Sequence, residues 1–292
     1  MPMALAIGWI NCFRNSKKKI MNNILVPTDF SDCANHGVQF AIEMAAATKA
    51  EIHFLHIMAI PTDWVTLDDS KKAAYPAVSK MVKKAHFELD KIVTQAEAAG
   101  ASATQFMAFN QNYKGIIEHQ EQYKNDLIIM GSHGASGFKE LFIGSYTQKV
   151  ARLSSVPVLT VKGPLTFDQI KEVVFASDFE ESIMPQFQAI VDFVRIVDAK
   201  LHLLFINTPT NFTDSLTTKT KMGNYAMHAP GVVENTHVFN YQHFERGLDK
   251  FCKELQMDMI AMVTHGAGFL SGSLTERVIN HTDLPVLSLH LH

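Results

Sequence analysis

Gly131, Ser132, His133 and Gly134, followed after nine intervening residues by Gly144 and Ser145, form the pattern in this chain best suited to hold an anion. Glycine carries no Cβ, so the backbone amides beside it can close on a phosphate oxygen. Gly144, Ser145, Tyr146 and Thr147 open a helix, whose first amides are unpaired and lie at the positive end of its dipole. The hydroxyls of Ser145 and Thr147 would add donors. Asp29, closing the run Pro27-Thr28-Asp29, suits a ribose hydroxyl or a base amine, and apolar Ile57 and Met130 would flank a purine. The chemistry predicted is capture of a nucleotide through its phosphates. The plainer alternative is structural, with glycines that only turn the chain after a parallel strand.

Bond-breaking chemistry is less well served. No Gly-x4-Gly-Lys-Ser/Thr loop is present, so the phosphate-clamping lysine of that class is missing. Near the expected phosphates stand His133, Lys139 and Glu140, without the paired acid and base of a committed hydrolase. Slow hydrolysis of a bound nucleotide, with Mg²⁺ or Mn²⁺ held by the phosphates and a hydroxyl, is the most these residues support. His53 and His202 occupy matching strand positions and read as hydrogen-bonded core residues. His133 and His265 occupy matching loop positions. His290 and His292 share one face of a final strand but lack a nearby carboxylate or cysteine, so no metal site is expected. Met81, Ala85 and Leu89 fall at helical spacing and read as packing.

The elements that must position these residues occur twice. Asn23-Ile-Leu-Val-Pro-Thr-Asp29-Phe30 answers to Glu172-Val-Val-Phe-Ala-Ser-Asp178-Phe179, and Ile52–Ile57 answers to Leu201–Ile206. Asp126 through His133-Gly134 answers to Asp258 through His265-Gly266. Gly144-Ser145 through Pro157 matches Gly272-Ser273 through Pro285. Four anchors in one order mark an internal duplication. In the first copy, strands are predicted near 23–28, 51–57, 103–109, 126–131 and 157–162, and helices near 32–48, 76–99, 112–122 and 144–154. Leu127-Ile-Ile-Met130 shows no alternation, as in strands buried on both faces of a parallel sheet. Val38, Ala41, Ile42 and Ala45 recur at helical spacing. Strand–helix alternation at these lengths implies a doubly wound five-stranded parallel sheet in each half, with ligands expected at the carboxyl ends of the strands. The second copy has helices near 183–198 and 241–255. Its 207–232 stretch, polar and rich in Thr and Asn, predicts a helix that is short or partly melted, or a pocket for another ligand. Gly163-Pro164 sets the boundary, giving a first domain at 22–163 and a second at 171–292.

The second copy departs from the anion-binding pattern. Val263 stands where Gly131 stands, Ala176 replaces Pro27, and only five residues separate Gly266 from Gly272. A β-branched side chain at the closest approach would crowd a phosphate, and the shorter loop cannot wrap it alike. Asp178 survives alone, so triphosphate binding is expected only in the first half.

Through Pro27-Thr-Asp-Phe-Ser31 and the Gly131-Ser-His-Gly134 to Gly144-Ser145 loop, the chain resembles the universal stress proteins of tandem type, over about 270 residues. The resemblance implies the adenine nucleotide alpha hydrolase-like fold and an ATP-binding subclass. There Asp29, Ile57, Gly131, Gly134, Gly144, Ser145 and Thr147 match nucleotide-contacting positions. It also implies pairing of the two halves through their last strands, an intramolecular pseudo-dimer.

The bulk properties agree with a regulatory adenine-nucleotide binder. The 292 residues carry 26 Lys and Arg against 29 Asp and Glu, with no long internal basic run, so neither nucleic acid nor a membrane is an expected partner. Three scattered cysteines fit a reducing compartment, and the cytoplasm is the expected location. Met1 to Cys12 is apolar and precedes Arg14 and Lys17–Lys19, the reverse of a secretory signal and too short to span a bilayer. Residues 1–21 read as a disordered leader, or as a weak membrane-surface tail. Protein partners and a homodimer of tandem chains are further expectations. A nucleotide-free interaction module and a weak ATPase remain the alternatives.

Overall fold

The computed structural model describes residues 21–61, 64–132, 144–264 and 272–291. In the first half, β1 (Asn23–Pro27), β2 (Glu51–Met58), β3 (Ser102–Phe109), β4 (Leu127–Gly131) and β5 (Val158–Val161) alternate with four main helices. These are α1 (Asp32–Thr48), α3 (Pro76–Ala98), α4 (Tyr113–Tyr123) and α5 (Ser145–Leu153), with a single turn, α2 (Asp69–Lys72), before α3. The second half repeats the order with β6 (Glu172–Ala176), α6 (Met184–Ile196), β7 (Lys200–Asn207), α7 (Ser215–His228), β8 (Val233–Asn240), α8 (Phe244–Leu255), β9 (Met259–Thr264), α9 (Gly272–His281) and β10 (Val286–His290).

Each half forms a parallel sheet of five strands, and the two join edge to edge in the order β3-β2-β1-β4-β5-β10-β9-β6-β7-β8. The join is antiparallel, with Val286 opposite Thr160, Leu287 opposite Leu159 and Ser288 opposite Val158. The expected pairing through the last strands is therefore present, and it fuses two sheets into one of ten strands.

Alternation along the strands feeds two cores. Ile24, Val26, Ile52, Phe54 and Ile129 face α1 and α3, together with α6 and α7 in the other half. Leu25, Leu55, Ile128 and Met130 face α4 and α5, together with α8 and α9. Strands apolar on both faces are what a sheet covered by helices on both sides requires.

The predicted elements of the first half lie where expected, to within a residue or two. The 207–232 stretch differs: it holds a regular helix of fourteen residues. The Asp214 carboxylate caps it by accepting from the amides of Leu216 and Thr217, and Thr218, Met222 and Tyr225 bury one side. A cap and a buried stripe outweigh the modest helix propensity of its Thr and Asn. The edge strand β8 that follows is half exposed, and its sequence, with five polar residues in eight, carries no clear strand signal.

Candidate functional site

Three strand ends meet at one edge of the first half, because β1 lies between β2 and β4. They bring Pro27, Thr28 and Asp29 beside Ile57 on one flank and Met130, Gly131 and Ser132 on the other. The start of α5 is tied to this edge by the Gly144 amide, which donates to the Ser132 carbonyl over 2.8 Å. Ile57 and Met130 point to the same face, toward α4 and α5. Tyr146 is exposed there, its ring 6.4 Å from that of Tyr113, over which the Lys149 ammonium sits at 4.8 Å. His133 and Gly134 lie outside the described residues, as do Lys139, Glu140 and, in the second half, His265 and Gly266.

Local bonding revises several expected roles. Thr147 is buried, and its hydroxyl donates to the Gly131 carbonyl over 3.1 Å instead of standing ready for a ligand. The Gly144 amide is likewise consumed by Ser132, and the Ser132 amide by the Val161 carbonyl. Among the described residues, what remains for an anion is the start of α5 itself: its cap is Gly144, and no side chain caps it. A helix start of this kind leaves amides without intrahelical partners.

Gly131 has a packing role that the glycine spacing did not disclose. A Cβ there would stand 2.5 Å from the Cys33 carbonyl oxygen and 2.9 Å from Ala34 Cα. The first turn of α1 thus presses directly on β4, and only glycine admits it. In the second half Val263 is fully buried within the core. There a 3-10 turn at Glu181–Ile183 precedes α6, so the regular helix starts six residues after Asp178, against three after Asp29. The valine therefore marks a different helix approach, not only a crowded phosphate.

The turn holding Asp29 is repeated in both halves. Phe30 and Phe179 adopt left-handed backbone, at φ 62° and 55°, which is costly for a bulky residue. Their amides donate to Thr28 Oγ1 over 3.1 Å and Ser177 Oγ over 2.9 Å, which accounts for the hydroxyl residue before each aspartate. One Asp29 carboxylate oxygen accepts from the Ser31 amide and hydroxyl, at 3.0 and 2.6 Å, and Ser31 in turn caps α1. The His56 Nδ1–H donates to the Thr28 carbonyl over 2.8 Å and stacks near Phe30, pinning the turn to β2.

Asp29 also borders a cleft of about 380 Å³ lined by His56, Met58, Met81, Lys84 and Glu88. It opens on the α1–α3 side of the sheet, opposite the face that Ile57 and Met130 share. Met81, expected in the core, is half exposed and forms a wall of this cleft. A polar Lys84 and Glu88 one helical turn apart beside Met81 was the available signal. The second half holds a counterpart of about 600 Å³ between Phe179–Met184 and α7, with Lys221 and His228 on its far wall. The Lys221 ammonium pairs with Glu180 over 2.6 Å.

His53 and His202 behave as core residues. His53 Nδ1 lies 3.2 Å from His119 Nε2, and His202 bridges Glu172 at 2.6 Å and His237 at 3.2 Å. Among the described residues no group of three or more His, Cys, Asp or Glu side chains is placed to hold a metal ion. No described helix is long and apolar enough to cross a membrane.

Comparison with known proteins gives the same reading in both halves. The sequence profile described as the Universal stress protein family matches residues 21–162 and again 170–290. Universal stress protein MJ0531 of Methanocaldococcus jannaschii is 28% identical over 163 residues, covering 56% of this chain and 94% of its own. Universal stress protein YxiE of Bacillus subtilis is 29% identical over 148 residues, 49% of this chain and all of its own. The crystal structure of a universal stress protein from Archaeoglobus fulgidus superposes with a TM-score of 0.72 over 93% of this chain and 99% of that one. At 23% identity, that likeness is one of fold.

Proposed function

Because the chain belongs in both halves to the Universal stress protein family, we propose that it is a stress-response regulator whose signal is an adenine nucleotide, ATP, held in the first half alone. The observation that carries this reading is the uncapped, glycine-led start of α5, bonded to the carboxyl end of β4, the strand beside β1. Its free amides would take the phosphates, with Gly134 and Ser145 beside them and Mg²⁺ or Mn²⁺ carried on the phosphate oxygens. Ile57 and Met130 supply apolar surface for the base. Pro27, Thr28 and Asp29 form the opposite lip, where the Asp29 carboxylate, held in place by Ser31, would face a ribose. Ser132 and Thr147 act as internal braces, Tyr146 borders the mouth, and His133 is assigned to the same ligand from its place in the loop sequence. We place the protein in the cytoplasm, as a homodimer of tandem chains with protein partners, and assign the second half to completing the paired sheet.

Native mass spectrometry of freshly purified protein tests the assignment. A co-purifying ATP mass is expected in the wild type and in Gly266→Val, and absent in Gly134→Val. A wild type carrying no nucleotide, even after incubation with magnesium-ATP, would refute it. The packing of Gly131 on Cys33 favours one second reading, since that glycine is then explained without any ligand. On that reading the chain is a nucleotide-free interaction module, and the same spectra would show protein mass alone.

A further inference from the structure

Helix α3 carries an unpartnered basic face. Lys80, Lys83, Lys84 and Lys91 are all exposed, and with Phe87 they fall within one side of the helix by its 3.6-residue period. The buried side, with Ala85, Leu89, Ile92 and Ala96, lies opposite. The carboxylates of the same stretch are turned to the flanks. Glu88 lines the cleft beside Asp29, and Asp90 accepts from the Gln105 side chain on β3. No ion pair among the described residues engages any of the four lysines. At the centre of this face Phe87 is 66% exposed.

We propose that this face of α3 docks on an anionic phospholipid bilayer. Four unpaired cations on a chain of net charge −3 form a local attraction that the whole-molecule charge conceals. The stripe from Lys80 to Lys91 is about 16 Å long at 1.5 Å per residue, and lies tangential to a flat surface. Lysine stems run along apolar surface while their ammonium heads reach phosphate, and an aromatic ring between them enters the headgroup layer. A second copy of the same face is excluded as the occupant, because it would set lysine against lysine. The face holds no arginine, the side chain that reads phosphate and base edges in a fixed fork. Mobile point charges around a protruding ring suit laterally mobile lipid headgroups better than a nucleic acid. An acidic protein offers the charge but gives Phe87 no apolar layer to enter. The proposal is independent of the nucleotide assignment and stands if the first half proves empty.

Vesicle binding by the full chain tests it, with phosphatidylcholine alone and with added phosphatidylserine at low and high salt. Binding is expected only with phosphatidylserine, and it weakens as salt rises. The Lys80→Gln/Lys84→Gln/Lys91→Gln variant should bind on the order of 100-fold more weakly, with unchanged circular dichroism. The same three changes at Lys219, Lys250 and Lys253 should leave binding intact. Phe87→Trp in the chain starting at Met21, which lacks Trp9 and keeps the buried Trp64, should show a blue-shifted emission on phosphatidylserine vesicles that the same chain without the substitution does not show. A chain starting at Met21 should bind as well as the full chain. Binding that survives the triple change in α3 but is lost with residues 1–20 would move the contact to the N-terminal basic run and overturn the proposal. So would equal binding to neutral vesicles, or capture by polyglutamate or RNA in the absence of any vesicle binding.

Discussion

Gly131 illustrates how one residue can satisfy two demands. The anion-binding pattern accounts for it by close approach of a phosphate, whereas its surroundings account for it by the first turn of α1 lying where a Cβ would be. The two explanations separate experimentally. Gly131→Val should destabilise the protein by about 1–3 kcal/mol, the usual cost of overpacking, read as a lowered urea midpoint. If stability is unchanged and only nucleotide is lost, the packing account fails. His119 gives a second residue-scale expectation. Burial against His53, Phe106 and Tyr123, reinforced by the charge His53 would carry, lowers its pKa to about 4. The unfolded chain takes up a proton near 6.5 that the native state refuses. The stabilisation is therefore complete above pH 6.5 and declines as pH falls from 6.5 toward 4, on the order of 2–3 kcal/mol in all. His119→Phe should flatten that part of the stability profile, and an unchanged slope would show that another group sets it.

At the scale of elements, the two halves differ most where the sequence was hardest to read. Helix α7 is held by a side-chain cap and three buried residues, so Asp214→Ala should cost about 1 kcal/mol. Hydrogen exchange should locate the loss in residues 215–228 and leave α3 protected. Fast exchange across that stretch in the wild type would mean that the helix is frayed after all. Strands and helices of the first half were legible because unbroken apolar runs and 3.6-residue stripes report burial directly. The edge strand β8 was not, since only Val233, His237 and Phe239 are partly covered and most of its remaining side chains are polar. The basic stripe of α3 is equally hidden in the linear order, because its lysines are scattered along the chain and gather only once the helix winds.

For the whole molecule, the decisive feature is the antiparallel seam between β5 and β10. It gives each half's last strand a partner, and it covers the apolar edge that Val158–Val161 would otherwise expose. An isolated first half, residues 22–163, should therefore seek a substitute and dimerise through β5, with twice the monomer mass by light scattering. Leu159→Lys in that fragment should abolish the dimer. A fragment that is monomeric at micromolar concentration would show that the seam contributes little. Exposed edges in a sheet are templates for pairing, and duplication within one chain supplies the partner at fixed concentration.

The amino-acid order alone determined the duplication, the two α/β halves, the strand ends at which a ligand belongs and the loss of the glycine pattern from one copy. These are matters of local periodicity and of side chains present or missing, and they survive without coordinates. Tertiary structure decided which polar groups are already engaged: the Thr147 hydroxyl donates to Gly131, the Gly144 amide donates to Ser132, and one oxygen of Asp29 accepts from Ser31. It also decided that Gly131 admits a helix and that four separated lysines share one surface. Hydrogen-bond partners and shared faces depend on contacts between residues distant in the chain, and linear spacing does not encode those contacts.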